Sequence, residues 1–300
     1  MVSQAPDQGF ASRVQHYVSR VNVRLEQALT SRGGVPEQLA EAMRYSVLGP
    51  GKRVRPLLSY ASGELFGVAP ERVDPIAVAV ELVHAYSLIH DDLPAMDDDD
   101  VRRGRPSTHR QYGEAMAILA GDALQAHAFD VLCRDSVGFG TTGARVIGWL
   151  ARAAGPAGMV GGQVLDLQAE GRRVDETALE NIHRRKTGEL IRAAIMMPGE
   201  VADAVPDTLR LLDEFACNIG LAFQIRDDLL EVESDTEAIG KSVGSDKKNE
   251  KSTYPSILGA DGARRRAGEV YGDAMTALDG LGEGASGLRW IADFIVRRSR

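Results

Sequence analysis

Two short acidic runs hold the residues best suited to chemistry. Asp91-Asp92-Leu-Pro-Ala-Met-Asp97 and Asp227-Asp228-Leu-Leu-Glu231 start 136 residues apart, each closing an apolar stretch with helical spacing. Carboxylates against apolar surface cost free energy unless cations compensate them, so the two runs imply one multi-cation site between two helices. Hard oxygen ligands without His or Cys favour Mg²⁺, with Mn²⁺ able to substitute. Mg²⁺ is commonly shared between protein carboxylates and substrate phosphate, which points to a phosphorylated substrate. An EF-hand is excluded, because neither run has alternating oxygen ligands, a central Gly and a twelfth-position Glu.

The two runs differ in how their acids converge. At about 100° per residue, His84 and Asp91 lie within roughly 20° of each other on one helix face, flanked by Glu81, Leu88 and Asp92. Asp97 is six residues beyond Asp91, or about 240°, and would point away in a regular helix. Pro94 removes the N–H that would bond the His90 carbonyl and predicts a break that brings Asp97 back. Asp98 to Asp100 read equally well as a solvated acidic loop. In the second run, Asp227, Asp228 and Glu231 share a face by simple spacing, with Gln224 one turn earlier.

Phosphate also needs cations, and several sit beside glycine or at predicted helix ends. Lys52 and Arg55 follow the Gly49-Pro50-Gly51 turn, where a helix start adds its N–H groups to anion binding. Arg102-Arg103 follow the first acidic run, Lys186-Thr187-Gly188 falls mid-helix, and Lys241 and Lys251 bracket a polar loop. Singly, each reads as well as a surface charge. Gly161-Gly162-Gln163 reads as a helix break that allows close packing, since no strand precedes it and no Gly-Lys-Ser/Thr follows.

The elements that must position these residues are helices. Phe10, Val14, Tyr17, Val18, Val21, Leu25 and Leu29 form a 3,4-spaced stripe, and Leu39, Met43, Ser46 and Val47 begin another after Pro36. Further helices are predicted over 53–66, 72–93, 113–134, 141–154, 175–197, 205–233, 254–280 and 286–297. Segments 72–93 and 205–233 are apolar on most faces, which suits central helices of an all-α bundle. Residues 1–300 read as one domain. A net charge of −8 argues against nucleic acid or an anionic membrane as partner. No uninterrupted apolar run reaches the about 18 residues of a membrane span, and no leader pattern opens the chain, so a cytoplasmic protein without stable membrane association is expected. Cys133 and Cys217 read as two buried thiols.

Taken together, the motifs resemble a known family. Gly51-Lys-Arg-Val-Arg-Pro56, the run from His84 to Gly104, Gly161-Gly-Gln-Val-Leu-Asp166, Lys186-Thr-Gly188, Phe223-Gln-Ile-Arg-Asp-Asp228 and Ser252-Thr-Tyr-Pro255 match trans-isoprenyl diphosphate synthases (the polyprenyl synthetase family) in order and spacing. The likeness covers about residues 10 to 298 and is closest to the bacterial short-chain farnesyl diphosphate synthases. It implies the isoprenoid synthase fold, about ten core helices around a central cavity, and a homodimer. It further implies a prenyltransferase that uses three Mg²⁺ to condense isopentenyl diphosphate with dimethylallyl or geranyl diphosphate.

By the same resemblance Asp91, Asp97 and Asp227 bind metal, supported by Asp92 and Asp228. Arg102, Lys186 and Lys241 meet the allylic diphosphate, Lys52, Arg55, His84 and Arg103 meet isopentenyl diphosphate, and Thr187 and Gln224 lie near the carbocation. Tyr86 and Ser87, five and four residues before Asp91, set the cavity floor and imply a C15 product, with C20 or C10 as alternatives. Departures are Glu231 for the usual Asp, Glu250 for a common Gly, and Pro198 near a helix end. Arg297-Arg298-Ser-Arg300 resembles a tail that closes over substrate. A terpene cyclase would not need Lys52, Arg55 and His84, and a non-catalytic subunit would lose aspartates that are intact here.

Overall fold

The first predicted stripe becomes the inner face of α1 (Gln8–Thr30), whose Phe10, Tyr17, Val21 and Leu25 are buried. The computed structural model describes residues 8–30, 34–134, 139–237 and 251–297. The elements that follow are α2 (Glu37–Val47), α3 (Val54–Leu65), α4 (Pro70–Asp91), α5 (Thr108–Tyr112), α6 (Glu114–Arg134), α7 (Gly143–Ala154) and α8 (Met159–Ala169). After them come α9 (Glu176–His183), α10 (Glu189–Val201), α11 (Pro206–Glu237), α12 (Tyr254–Asp279) and α13 (Ser286–Arg297). The all-α expectation holds. The strands among the described residues are β1 (Val101–Arg102) and β2 (Arg105–Pro106), an antiparallel pair turned by Arg103 and Gly104, both at positive φ.

Helices α4, α10 and α11 occupy the centre because they are apolar nearly all round. In α4, residues Val73 to Val83 are all buried, and α11 buries Leu212, Phe215, Ile219, Ala222, Ile225 and Leu229. Helices α3, α6 and α10 pack on α4, while α12 lies along α11. Two buried charged groups in this interior are paired. Arg53, at a left-handed φ of 52°, bonds Glu81 at 2.7 Å and the carbonyls of Val47 and Gly49, which fixes the entry to α3. Asp74 accepts from Arg20, Arg24 and the Tyr60 hydroxyl.

Three expectations are corrected. Gly161 and Gly162 do not break a helix; they lie inside α8, because a close approach there outweighs glycine's poor helix propensity. A Cβ on Gly162 would stand 2.2 Å from the Lys186 backbone nitrogen. Segment 175–197 is two helices joined by a π turn at Arg184–Gly188, and α10 runs through Pro198. The Ala194 carbonyl, which Pro198 cannot bond, instead accepts from the Ser59 hydroxyl of α3 at 2.9 Å. Cys133 is exposed and Cys217 half-buried, both free, so only Cys217 approaches the expected burial.

Candidate active site

Helix α4 ends at Asp91, and the chain then folds back as the proline requires. Leu93 N–H takes the His90 carbonyl that Pro94 cannot reach, and Asp97 N–H bonds the Asp91 carbonyl at 2.9 Å. Asp97 is thereby drawn back beside Asp91, although six residues of regular helix would separate them. Asp91 is mostly withdrawn from solvent, and burial together with the charges of Asp97 and Asp92 raises its carboxyl to about 6, against the pull of Lys186 and Arg102. Such an acid gains from a nearby cation.

On the other side, α11 carries Gln224, Asp227 and Asp228, and the π turn between α9 and α10 carries Lys186 and Thr187. Glycines seat that turn closely between two helices. Gly162 of α8 lies against the Lys186 backbone, and a Cβ on Gly220 of α11 would stand 3.1 Å from Gly188 Cα. The Thr187 hydroxyl donates to Gln224 Oε1 at 2.9 Å, and Gln224 Nε2 donates to Asp228 at 3.2 Å.

These elements enclose a cavity of about 830 Å³. Its lining includes Asp91 and Asp227, the cationic residues Arg55, Arg102 and Lys186, and the polar His84, Ser87, Thr187 and Gln224. Tyr86 lines it too, a buried ring edge-on to His90 at 5.8 Å. Apolar wall is supplied by Leu93, Met96, Ile118, Met159, Val160, Val164, Leu167 and Phe223. Ten of the predicted site residues therefore meet in one space, an amphipathic chamber with charge and carbon surface side by side.

Other predicted residues lie at its margin or turn away. Lys52 is exposed beside the turn, and Arg103 donates to His84 Nε2 at 3.3 Å. His84 accepts because burial, with Arg55 and Arg103 nearby, holds its imidazole well below its ordinary value and keeps it neutral. Burial lowers Arg55 as well, and its Nε has no hydrogen-bond partner among the described residues. Asp92 is buried against Arg102, and Asp228 is buried among protein donors. Lys241, Glu250, Arg298 and Arg300 lie outside the described residues.

Sequence reasoning assigned no role to Asp166 and named Lys251 only as one cation of a polar loop. Asp166 of α8 accepts from Lys186 at 2.6 Å, and Lys251 donates to Asp97 at 2.8 Å while standing 3.5 Å from Asp166. The motif containing Asp166 was visible, but its pairing joins residues far apart in sequence. Gln163, in the same helix, lines the cavity, and both its amide atoms are buried with no hydrogen-bond partner among the described residues. Asp98, Asp100 and His109 bring ligand atoms within 4.8 Å of one another outside this lining, where Arg110 already pairs with Asp100 at 2.5 Å. Asp91, Asp97 and Asp227 offer only carboxylate oxygen, which fits a hard divalent ion.

Comparison with known proteins agrees with this geometry. The sequence model of the polyprenyl synthetase family matches residues 36–279. Farnesyl diphosphate synthase of Escherichia coli (strain K12) is 46% identical over 97% of this chain and 99% of its own length. The farnesyl diphosphate synthase of Geobacillus stearothermophilus is 41% identical over 95% of this chain and 98% of its own. A geranyltransferase structure from Legionella pneumophila superposes with a TM-score of 0.87 at 36% identity, covering 97% of this chain and 98% of that one. With more than half its length matched and full-length relatives above 40% identity, the chain belongs to the polyprenyl synthetase family.

Proposed function

We propose that this chain is a prenyltransferase that condenses isopentenyl diphosphate with dimethylallyl and then geranyl diphosphate to give farnesyl diphosphate. The observation that carries the reading is the single cavity in which Asp91 of α4 and Asp227 of α11 share a lining with cationic side chains and an apolar wall. Asp91, Asp97 and Asp227 would hold magnesium, and its place is favoured by an Asp91 carboxyl raised by burial and by Asp97. When bound, magnesium supplies Lewis-acid chemistry that polarises and orients a diphosphate leaving group. Arg102, Lys186 and Lys241 hold the allylic diphosphate. Lys52, Arg55 and Arg103 bind the second diphosphate, and neutral His84 orients Arg103 through its Nε2.

The reacting carbons lie against Thr187 and Gln224, whose oxygens stabilise positive charge on the allylic carbon while the apolar wall excludes water. The double bond of isopentenyl diphosphate attacks that carbon, and a proton leaves the adjacent carbon for the released diphosphate. No protein base is required. The growing chain runs toward Tyr86 and Ser87, about one and a half helical turns below Asp91. Tyr86→Ala should shift product beyond fifteen carbons, and an unchanged chain-length distribution would remove Tyr86 from the floor.

We also read the chain as one domain, cytoplasmic and homodimeric. Helix α6 carries Leu119 at 54% exposure, away from the cavity lining, an apolar side chain suited to a second copy. Helices α4 and α6 are long and apolar enough, by length and composition, to cross a membrane, but α4 is a core helix and Ile118 of α6 lines the cavity. The test is a product chromatogram from the purified chain, both five-carbon diphosphates and Mg²⁺, after dephosphorylation. Farnesol as the main alcohol is expected. A main C10 or C20 alcohol overturns the chain length, diphosphate release that does not need isopentenyl diphosphate favours a cyclase, and no turnover favours a non-catalytic subunit.

A further inference from the structure

We infer that Asp228 serves the reaction as a positioning residue that sets the polarity of the Gln224–Thr187 pair, and not as a metal ligand. The inference rests on the site reading above for Gln224, Thr187 and Asp227. Asp228 is 5% exposed, and both of its oxygens face protein donors from three elements. Oδ1 accepts from Gln224 Nε2 at 3.2 Å. Oδ2 accepts the Tyr254 backbone N–H at 3.0 Å and lies 3.3 Å from His183 Nε2. The Tyr254 N–H opens α12 and has no partner within that helix, so Asp228 satisfies it. The His183 ring stacks on the Tyr254 ring at 5.7 Å, and the two donors therefore hold each other in place on the side away from Gln224.

The chemical consequence follows from donor counting. An ionised carboxylate only accepts, so Gln224 must turn its NH₂ toward Asp228 and its carbonyl oxygen toward Thr187. The Thr187 hydroxyl spends its one hydrogen on that carbonyl, at 2.9 Å. Both Thr187 and Gln224 line the cavity, and with the Thr187 hydrogen and one amide N–H directed along the chain to Asp228, the lone pairs of the two oxygens are left for the reacting carbon. That is the polarity a developing carbocation needs. Asp227 lines the same cavity one residue earlier, which leaves metal binding to Asp227 and orientation to Asp228.

Asp228→Asn keeps the shape and breaks the rule, because an amide nitrogen then faces one of the donors and Gln224 is free to flip. Its kcat should fall about a hundredfold, the scale of one misaligned dipole at a charged transition state. Calorimetry should show Mg²⁺-dependent binding of an unreactive allylic thiodiphosphate within about threefold of wild type, whereas Asp227→Asn loses it. Adding Gln224→Leu to Asp228→Asn should cost little more, since both act through one amide. If Asp228→Asn weakens analogue binding as much as Asp227→Asn, or if the Asp228 and Gln224 losses multiply, the positioning role is wrong. If Asp227→Asn leaves the binding intact, the metal reading fails with it. Should Asp228→Asn not fold, His183→Asn carries the test: a lower kcat with unchanged analogue binding supports the role, and wild-type kcat overturns it.

Discussion

At the level of single residues, the site is governed by charge held where solvent is scarce. His84 stays neutral because burial and flanking arginines oppose its protonation, so it accepts from Arg103 instead of repelling it. The folded pKa lies below the unfolded value of about 6.5, which means the unfolded chain binds the extra proton. His84 therefore contributes stability above about pH 6.5 that is lost as pH falls below it. Urea midpoints of wild type and His84→Gln at about pH 8 and about pH 5.5 should show the steeper acid loss in wild type. Equal slopes would contradict a depressed histidine. The types and spacing of these residues were legible in the sequence, but their partners were not. Lys251 meets Asp97 across 154 positions, and Lys186 meets Asp166 across 20. Helical periodicity carries no information about such pairs.

Among the elements, the instructive cases are those where a local rule and a tertiary demand meet. Pro94 acted as its chemistry dictates: α4 stops at Asp91 and Asp97 returns to it, although regular helical spacing would have pointed it away. Pro198 and the Gly161-Gly162 pair behaved otherwise, because contacts from α3 and from the π turn outweighed local preference. The π turn itself left no sequence signal, since it arises from the need to present Lys186 and Thr187 while α8 and α11 press on either side. Gly162→Ala tests that account. Its Cβ would force Lys186 to move, so stability should drop by about 1–3 kcal/mol in denaturant titration. Displacing Lys186 and Thr187 by about an ångström should lower kcat by roughly a hundredfold. Wild-type kcat in a folded Gly162→Ala protein would show that the close packing does not position them.

For the whole molecule, the order of helices was largely legible because long periodic stripes survive any packing, whereas α8 was missed because its apolar residues line a cavity instead of a core. The proposed dimer was implied by the motifs, but a surface for it is visible only in the folded chain. Leu119 sits on α6 with nothing from the described residues covering it fully, and Leu119→Glu should convert the proposed dimer into monomers in sedimentation equilibrium. A dimer of undiminished stability would place the interface elsewhere. The central claim is that the acids of α4 and α11 form one cation-dependent site. Its most direct test is calorimetric binding of an unreactive allylic thiodiphosphate with and without Mg²⁺, in wild type, Asp91→Asn, Asp227→Asn and the double variant. The account predicts binding that needs Mg²⁺, is lost in either single variant, and falls little further in the double. Binding that persists in chelator, or that depends on only one of the two helices, would contradict it.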